Sequence, residues 1–578
     1  MNIIYNEKNE IDIPIFADLN RTIEVVETIF KNWGDIVKKR FDFSRGGKDH
    51  SIFIIYVDGL ADNEMVERTI THPILYEWKD ERYPEDKSAR YAEDKSGRYA
   101  EDKSTRYAED KSGRYAEDKS ARYEEDKSGR CTGDKDSLAC DKRECVDRNL
   151  SEKETDEWGF DILFHKETEA VDMTCSYTMQ DTVDGILKGD TAIFVDGQDR
   201  AIMLSTKKYP TRAISSPEKE SGLKGPKDSF NENFRLDTAL IRRRIKDPKL
   251  KLKQDFIGIR SRTVYGLMYM EDLVEEELLT KINEKLESFE IDGIFDSGML
   301  VHLLEDKWYS PFPQVQTTER PDKAASALLE GRVVLVVDNS PEVIILPATF
   351  NSFFQASDDY YNRFAVGTFA RIIRYAAAYL SVLLPGLYIA ITCFYPQVLP
   401  TDFLLAIVGA RNDVTFPVVI EVLLMEFLFE LLREAGIRLP GQMGNTIGVV
   451  GGLIVGQAAV DASLVSTIVV IVVALTAICS FAIPNEEFAS TFRLLKFVMI
   501  ILSAVFGLYG ILLGILVIQI NLASLESFGI PYLMPLVSGT VDDGVEYQDF
   551  VLRKPIFTML DRPIYTREGR RRRFLKKG

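Results

Sequence analysis

The hydrophobic pattern divides the chain near residue 370. Before that point apolar residues come in short runs broken by charge. Beyond it lie long stretches almost free of charge: Tyr375–Tyr395, Gly444–Pro484 with Asp461 as its one charge, and Phe497–Ile518. A bilayer core of about 30 Å needs roughly 20 apolar helical residues. Tyr375–Tyr395 and Phe497–Ile518 therefore each read as one crossing. Gly444–Pro484 reads as two, with a tight connection near Asp461-Ala462-Ser463. Four crossings put both chain ends on one side.

Two pieces between the first spans do not fit that pattern. Val398–Gly409 is too short to cross. Phe416–Arg433 is long enough but carries Glu421, Glu426 and Glu430. On a helix Glu426, Glu430 and Arg433 share a face, and Glu421 points elsewhere. Carboxylates in lipid are expensive, so this helix is expected to lie at the interface, contact another subunit or line a pore. Whether residues 414–435 cross stays open. Small residues at Gly444, Gly448, Gly452 and Gly456, followed by Gln457, form a narrow stripe that lets helix backbones approach. They are candidate packing or pore residues. Gly507, Gly510 and Gly514 repeat the pattern more weakly.

The first part of the chain has α/β texture. Ser51–Val57, Ala192–Gly197, Thr263–Met270 and Val333–Asp338 read as strands, with helical spacing over Asp62–Ile70 and Leu273–Leu286. Strands alternating with helices suggest βα units. The phrases Tyr56-Val57-Asp58-Gly59-Leu60 and Tyr269-Met270-Glu271-Asp272-Leu273 both pass from a strand into an acidic helix start, a hint of related halves. Between them, tyrosines at 83, 91, 99, 107, 115 and 123 mark a tandem octapeptide. It cannot bury enough apolar surface to fold and reads as a disordered insert.

The expected fold class is an α/β N-terminal region of two small subdomains followed by a polytopic α-helical transmembrane domain. The expected domains are a first α/β segment (1–80), the repeat insert (81–157), an α/β domain (158–360), the transmembrane helices (361–536) and a basic cytosolic tail (537–578).

Charge narrows the function classes. A net charge of −18 disfavours general nucleic-acid binding. Basic residues Arg363, Arg371 and Arg374 precede the first span, and ten basic residues crowd the stretch from Arg553 to Lys577. The positive-inside rule places both ends in the cytosol, where the tail could also meet anionic lipid. The six cysteines are scattered, consistent with a reduced compartment. The N-terminus lacks the pattern of a cleavable signal. No phosphate-binding Gly-rich loop or nucleophile elbow is present, and neither histidines nor cysteines have metal spacing. The expectation is no enzyme, no cofactor and no metal. Arg242, Arg243 and Arg244, with Glu319, Arg320 and Asp322, are candidate inter-domain contacts. Glu421, Glu426, Glu430 and Arg433 are candidates for subunit contact or gating.

A set of segments resembles the A subunit of spore nutrient-germinant receptors, the GerA type. It includes Arg212-Ala213-Ile214-Ser215-Ser216-Pro217-Glu218, Ser310-Pro311-Phe312-Pro313-Gln314, Thr318-Glu319-Arg320-Pro321-Asp322 and Leu329-Glu330-Gly331-Arg332. It continues with Asp358-Asp359-Tyr360-Tyr361, Leu431–Pro440 and Ile454–Val460. The resemblance runs through most of residues 158–536; Lys224 and Lys227 stand where the family more often has arginine. It implies a spore inner-membrane protein working with a transporter-like B subunit and a lipoprotein C subunit. It also implies a homo-oligomer, a pentamer by expectation, that releases ions to start germination. A stand-alone solute transporter and a non-conducting scaffold are the alternatives.

Overall fold

The computed structural model describes residues 11–45, 48–71, 172–208, 217, 219–220, 222, 224–438, 452, 456–537, 549–559, 561–563 and 565–567. The octapeptide insert, Gly444 and Gly448 lie outside the described residues.

The first sheet is built from β1 (Ile36–Arg45), β2 (Lys48–Val57), β3 (Met173–Ser176), β4 (Thr191–Val195) and β5 (Ala201–Leu204), in the order β1-β2-β4-β5-β3. One face packs on α1 (Leu19–Ile29) and α3 (Met179–Leu187), the other on the short α2 (Asn63–Val66). The second sheet contains β6 (Leu250–Ile257), β7 (Thr263–Met270), β8 (Gln316–Thr318), β9 (Val333–Val337) and β10 (Val343–Leu346), in the order β6-β7-β9-β10-β8. Helices α4 (Phe234–Arg244) and α7 (Pro321–Leu329) cover one face, and α5 (Glu276–Glu287) and α6 (Ser297–Leu304) the other.

All pairings in both sheets are antiparallel. The expectation of βα units is corrected accordingly. The sequence reading found the interior strands β2, β4, β7 and β9, which are rich in apolar residues because both faces are covered, and missed the interior β5 and β10, four-residue runs too short to stand out. It also missed the edge strands β1 and β6, whose charged residues (Lys38, Lys39 and Arg40; Lys251 and Lys253) break the apolar run.

The two sheets have one topology, and the chain repeats itself to produce it. From Gly189 to Leu204 and from Gly331 to Leu346 the sequences align without a gap. Gly189 matches Gly331, Asp196 matches Asp338, and β4-β5 matches β9-β10. Both glycines have positive φ, at 94° and 85°. A Cβ on Gly189 would meet the Leu60 carbonyl at 2.8 Å, and one on Gly331 would meet the Leu273 carbonyl at 3.1 Å. Leu60 and Leu273 end the two phrases noted in the sequence. Only glycine fits such a turn against a neighbouring backbone.

The halves touch through Asn32–Gly34, which bonds alongside β6: the Gly34 N–H donates to the Leu252 carbonyl at 2.9 Å, and the Leu252 N–H to the Asn32 carbonyl at 3.1 Å.

After the short α8 (Ser357–Tyr361) the chain becomes a helical bundle: α9 (Phe364–Phe394), α10 (Thr401–Ala410), α11 (Val418–Arg438), α12 (Thr467–Phe481), α13 (Glu486–Phe506) and α14 (Leu508–Ser524). A two-stranded β11-β12 hairpin (Glu526–Ser527 and Ile530–Pro531) follows. Among the described residues α9 and α13 are long and apolar enough to cross a membrane, and α10, α12 and α14 are shorter apolar helices. Exposed Leu494, Val498, Ile501 and Val505 recur at three- and four-residue steps along α13, an apolar face turned outward.

The expected single span Phe497–Ile518 is corrected to parts of two helices. Gly507, at φ 61° and ψ −136°, ends α13 and caps α14. The pair then folds back: a Cβ on Gly510 would collide with the Leu502 carbonyl, and one on Gly514 with the Met499 sulfur. The glycines thus set a tight hairpin rather than a straight crossing.

Candidate functional site

The bundle carries buried charge along α11. Its first turn places Glu421 where Arg411, just past α10, reaches it at 3.2 Å, and the Ser466 N–H donates to it at 3.0 Å. One and a half turns on, Glu426 is fully buried and accepts from Lys496 of α13 at 2.6 Å. Further along, Glu430 pairs with Arg433 at 3.2 Å and Arg493 at 3.5 Å. Arg433 and Arg493 both bond Glu486. Rising numbers on α11 meet falling numbers on α13, so the two helices run antiparallel along a ladder of ion pairs.

Each pair has a physical reason. A lone carboxylate in a dry bundle is costly, and a cation on the facing helix offsets that cost only with close geometry. Even so, Glu426 Oε1 and Glu430 Oε2 are buried with no hydrogen-bond partner among the described residues. The sequence reading singled out the four α11 residues but missed the α13 partners of Glu426, Glu430 and Arg433, because it began the last span one residue after Lys496. A basic residue at the same depth as each acid was the available signal.

The small-residue stripe is seen only in part. Gly452 has open space around its Cβ position, and a Cβ on Gly456 would meet Val470 Cγ1 at 3.9 Å. Gln457 is exposed.

The inter-domain candidates divide. Arg242, 2% exposed, reaches from α4 to Asp35 of the first half and donates to the Leu250 carbonyl at 3.0 Å, its guanidinium lying 3.5 Å over the Trp33 ring. Arg244 bonds Asp228 at 2.6 Å, and Arg243 is exposed. Arg320 pairs with Asp322 at 2.8 Å and holds the carbonyls of Glu220 and Pro226. Glu319 accepts from the Lys219 N–H at 3.2 Å. Burial opposes the charge on Asp322, but hydrogen bonds from Arg320 and Tyr361 hold its carboxyl below the usual carboxylate range. Burial and that same Asp322 bond push Tyr361 up to about 12.

Of these candidates Arg320 borders a polar cavity of about 290 Å3 between the second α/β half and the α12–α13 turn, lined in part also by Lys219, Glu220, Lys323, Asp358 and Glu486. Lys323 is paired with Glu220 at 2.6 Å and Lys219 with Glu342. Arg320 is held by Asp322 on the α/β side and Glu486 by Arg433 and Arg493 on the bundle side, so the cavity lies at a polar joint whose charges are neutralised separately on each face. Among the described residues no group of His, Cys, Asp and Glu is placed to hold a metal.

Comparison with known proteins gives a consistent picture. The family model described as Bacillus/Clostridium GerA spore germination protein matches residues 139–565. Spore germination protein KA of Bacillus subtilis (strain 168) is 43% identical over 351 residues, which is 61% of this chain and 64% of that protein. The chain thus spans just under two thirds of that relative. Spore germination protein A1 of the same organism is 41% identical over 370 residues, 64% of this chain and 77% of that protein. Spore germination protein GerLA of Bacillus cereus is 38% identical over 388 residues, 67% and 78% respectively. The crystal structure of the N-terminal domain of the A subunit of the Bacillus megaterium spore germinant receptor GerK3 matches with TM-score 0.35 at 22% identity, covering 58% of this chain and 98% of that one.

Proposed function

This chain belongs to the GerA family of spore germination proteins, and from that premise we propose that it is a membrane-associated, A-type subunit of a spore germinant receptor whose helices join those of further copies to form an ion pathway. The α11 ladder carries the proposal. Ionisable residues within a membrane bundle mark ion or proton routes, and Glu426 keeps one buried oxygen without a partner among the described residues. A ligand bound by a partner subunit would open the pathway by favouring one packing of the bundle over another. The partners in this reading are a transporter-like B subunit and a lipoprotein C subunit, with the oligomer a pentamer in the spore inner membrane. The stripe through Gly452 and Gly456 would serve packing between neighbouring helices.

Both chain ends face the cytosol in this proposal. Arg562, Tyr565, Thr566 and Arg567 bond the second α/β half, which supports one side for the two regions, and the basic tail supports the inner side.

Recording from the reconstituted receptor complex tests the pathway. Germinant should open a conductance, and Glu426→Gln should alter its size or ion selectivity. Gly456→Leu should disturb assembly or opening. Silence under every germinant that triggers the parent spores would overturn the pathway and favour a non-conducting scaffold. The mutual neutralisation of Glu426 and Lys496 is the observation that favours that second reading.

A further inference from the structure

The two α/β halves differ in what closes them. In the first half the chain leaves β5 and continues alongside the segment after β2. The Asp62 N–H donates to the Thr206 carbonyl at 2.7 Å, the Lys208 N–H to the Leu60 carbonyl at 2.9 Å, and Thr206 Oγ1 to the Gly189 carbonyl at 3.2 Å. In the second half the chain leaves β10 at Leu346 and heads for the bundle, so the equivalent place beside Leu273 falls vacant. Residues from the far end of the chain fill it. The Arg567 N–H donates to the Leu273 carbonyl at 2.8 Å, and Thr566 Oγ1 donates to the Glu330 carbonyl at 2.8 Å. A Cβ on Gly331 would meet Thr566 Cα at 2.9 Å. Arg562 donates to the Leu329 carbonyl at 2.9 Å, and Tyr565 shares a 3.0 Å hydrogen bond with Thr349. The Leu329-Glu330-Gly331-Arg332 segment is therefore a receptor for the tail.

The same tail grips the start of α9. Arg371 is fully buried and bonds Asp549 at 2.6 Å and the Phe550 carbonyl at 2.7 Å. Arg553, also buried, donates to the Asn362 carbonyl at 2.9 Å and the Tyr360 carbonyl at 3.3 Å. Thr368 of α9 exchanges hydrogen bonds with the Arg553 backbone at 3.2 Å in both directions.

We propose that the C-terminal segment from Asp549 to Arg567 is a coupling strap: it completes the second α/β repeat in trans along the chain and ties that repeat to the first turns of α9. A shift of the α/β region then reaches the bundle through two buried arginines, not through the β10–α9 connection alone. At the tip the segment is held on the backbone carbonyls of Leu273, Leu329 and Glu330, and at the α9 end by the Asp549 carboxylate and the Arg553 guanidinium.

Two variants of the full chain, purified in detergent, test this by hydrogen exchange. Termination after Lys554 removes the docking end. Exchange should speed up both around Gly331 and in the first turns of α9. Adding a synthetic peptide of residues 555–567 should restore protection at Gly331 but not at α9, since the covalent link is missing. Faster exchange at Gly331 alone after termination, or at neither place, overturns the strap. Arg553→Ala cuts the other end and should leave the Gly331 region protected. In spores it should slow germinant-triggered ion release by about tenfold, within the range typical of coupling between sites, at unchanged protein level. Wild-type release in Arg553→Ala spores overturns the coupling role. The exchange result stands apart from the ion-pathway reading, so failure of one is distinguishable from failure of the other.

Discussion

Asp237 is fully buried in α4, where its Oδ1 accepts from the Asn231 N–H at 2.9 Å and its Oδ2 has no partner among the described residues. Burial pushes its carboxyl up to about 8 from 3.8, against the pull of the Asn231 bond. The unfolded chain releases this proton near 3.8, whereas the native chain keeps it until about 8. The native state therefore binds more protons across that window, and stability falls as pH rises through it. Asp237→Asn should flatten the slope. Thermal unfolding at about pH 5 and about pH 8 should show the parent losing more than the variant between the two; equal losses would sink the assignment. A second residue-scale test concerns the ladder. Glu426→Ala strands the Lys496 ammonium and should cost about 3–5 kcal/mol, whereas Glu426→Met with Lys496→Met should come out near neutral or stabilising. Unfolding in detergent separates the two. The acids of this ladder were legible in the sequence because charge is rare in an apolar stretch. Their partners were not, since helix register across a bundle is a tertiary fact.

At the scale of elements, the strands read most clearly were β4, β7 and β9, which are apolar on both faces. Edge strands such as β1, with the sequence Ile36-Val37-Lys38-Lys39-Arg40, offered no apolar run and were missed. The α13–α14 hairpin was read as one span because the apolar run continues across it. The break depends on the backbone of Gly507 and on the close approach at Gly510, neither of which hydropathy registers. Gly510→Ala should force the hairpin open, since a Cβ there meets the Leu502 carbonyl. A loss of about 1–3 kcal/mol is the usual scale for overpacking. Gly409→Ala in α10, where no atom lies within 4 Å of the new Cβ, serves as control and should be neutral or slightly stabilising. Equal effects at both positions would show that the hairpin contact is not the cause.

At the scale of the whole molecule, the internal repeat was present in the sequence as a faint echo at Leu60 and Leu273. It became plain only when Gly189 and Gly331 were seen against those two carbonyls, because topology persists where side chains diverge. The bundle raises a question of count that the apolar runs alone answered as four. The ladder now orients α11 against α13. Arg433 lies with Glu486 at the start of α13, whereas Glu421 lies with Arg411 and Ser466 at the opposite end. Helix α11 therefore traverses the depth of the bundle, and the turn at Asn412-Asp413 sits on the face away from the α/β region. If α11 crosses the bilayer, a cysteine at Asn412 and a cysteine at Lys554 must lie on opposite sides. In a chain whose own six cysteines are replaced by serine, a membrane-impermeant maleimide applied to sealed, right-side-out vesicles should label Asn412→Cys and leave Lys554→Cys untouched until the vesicles are opened. Labelling of both before opening, or of neither, would place α11 along the surface instead of through it. The ladder would then be an interfacial contact, and the route for ions would have to be sought elsewhere in the assembly.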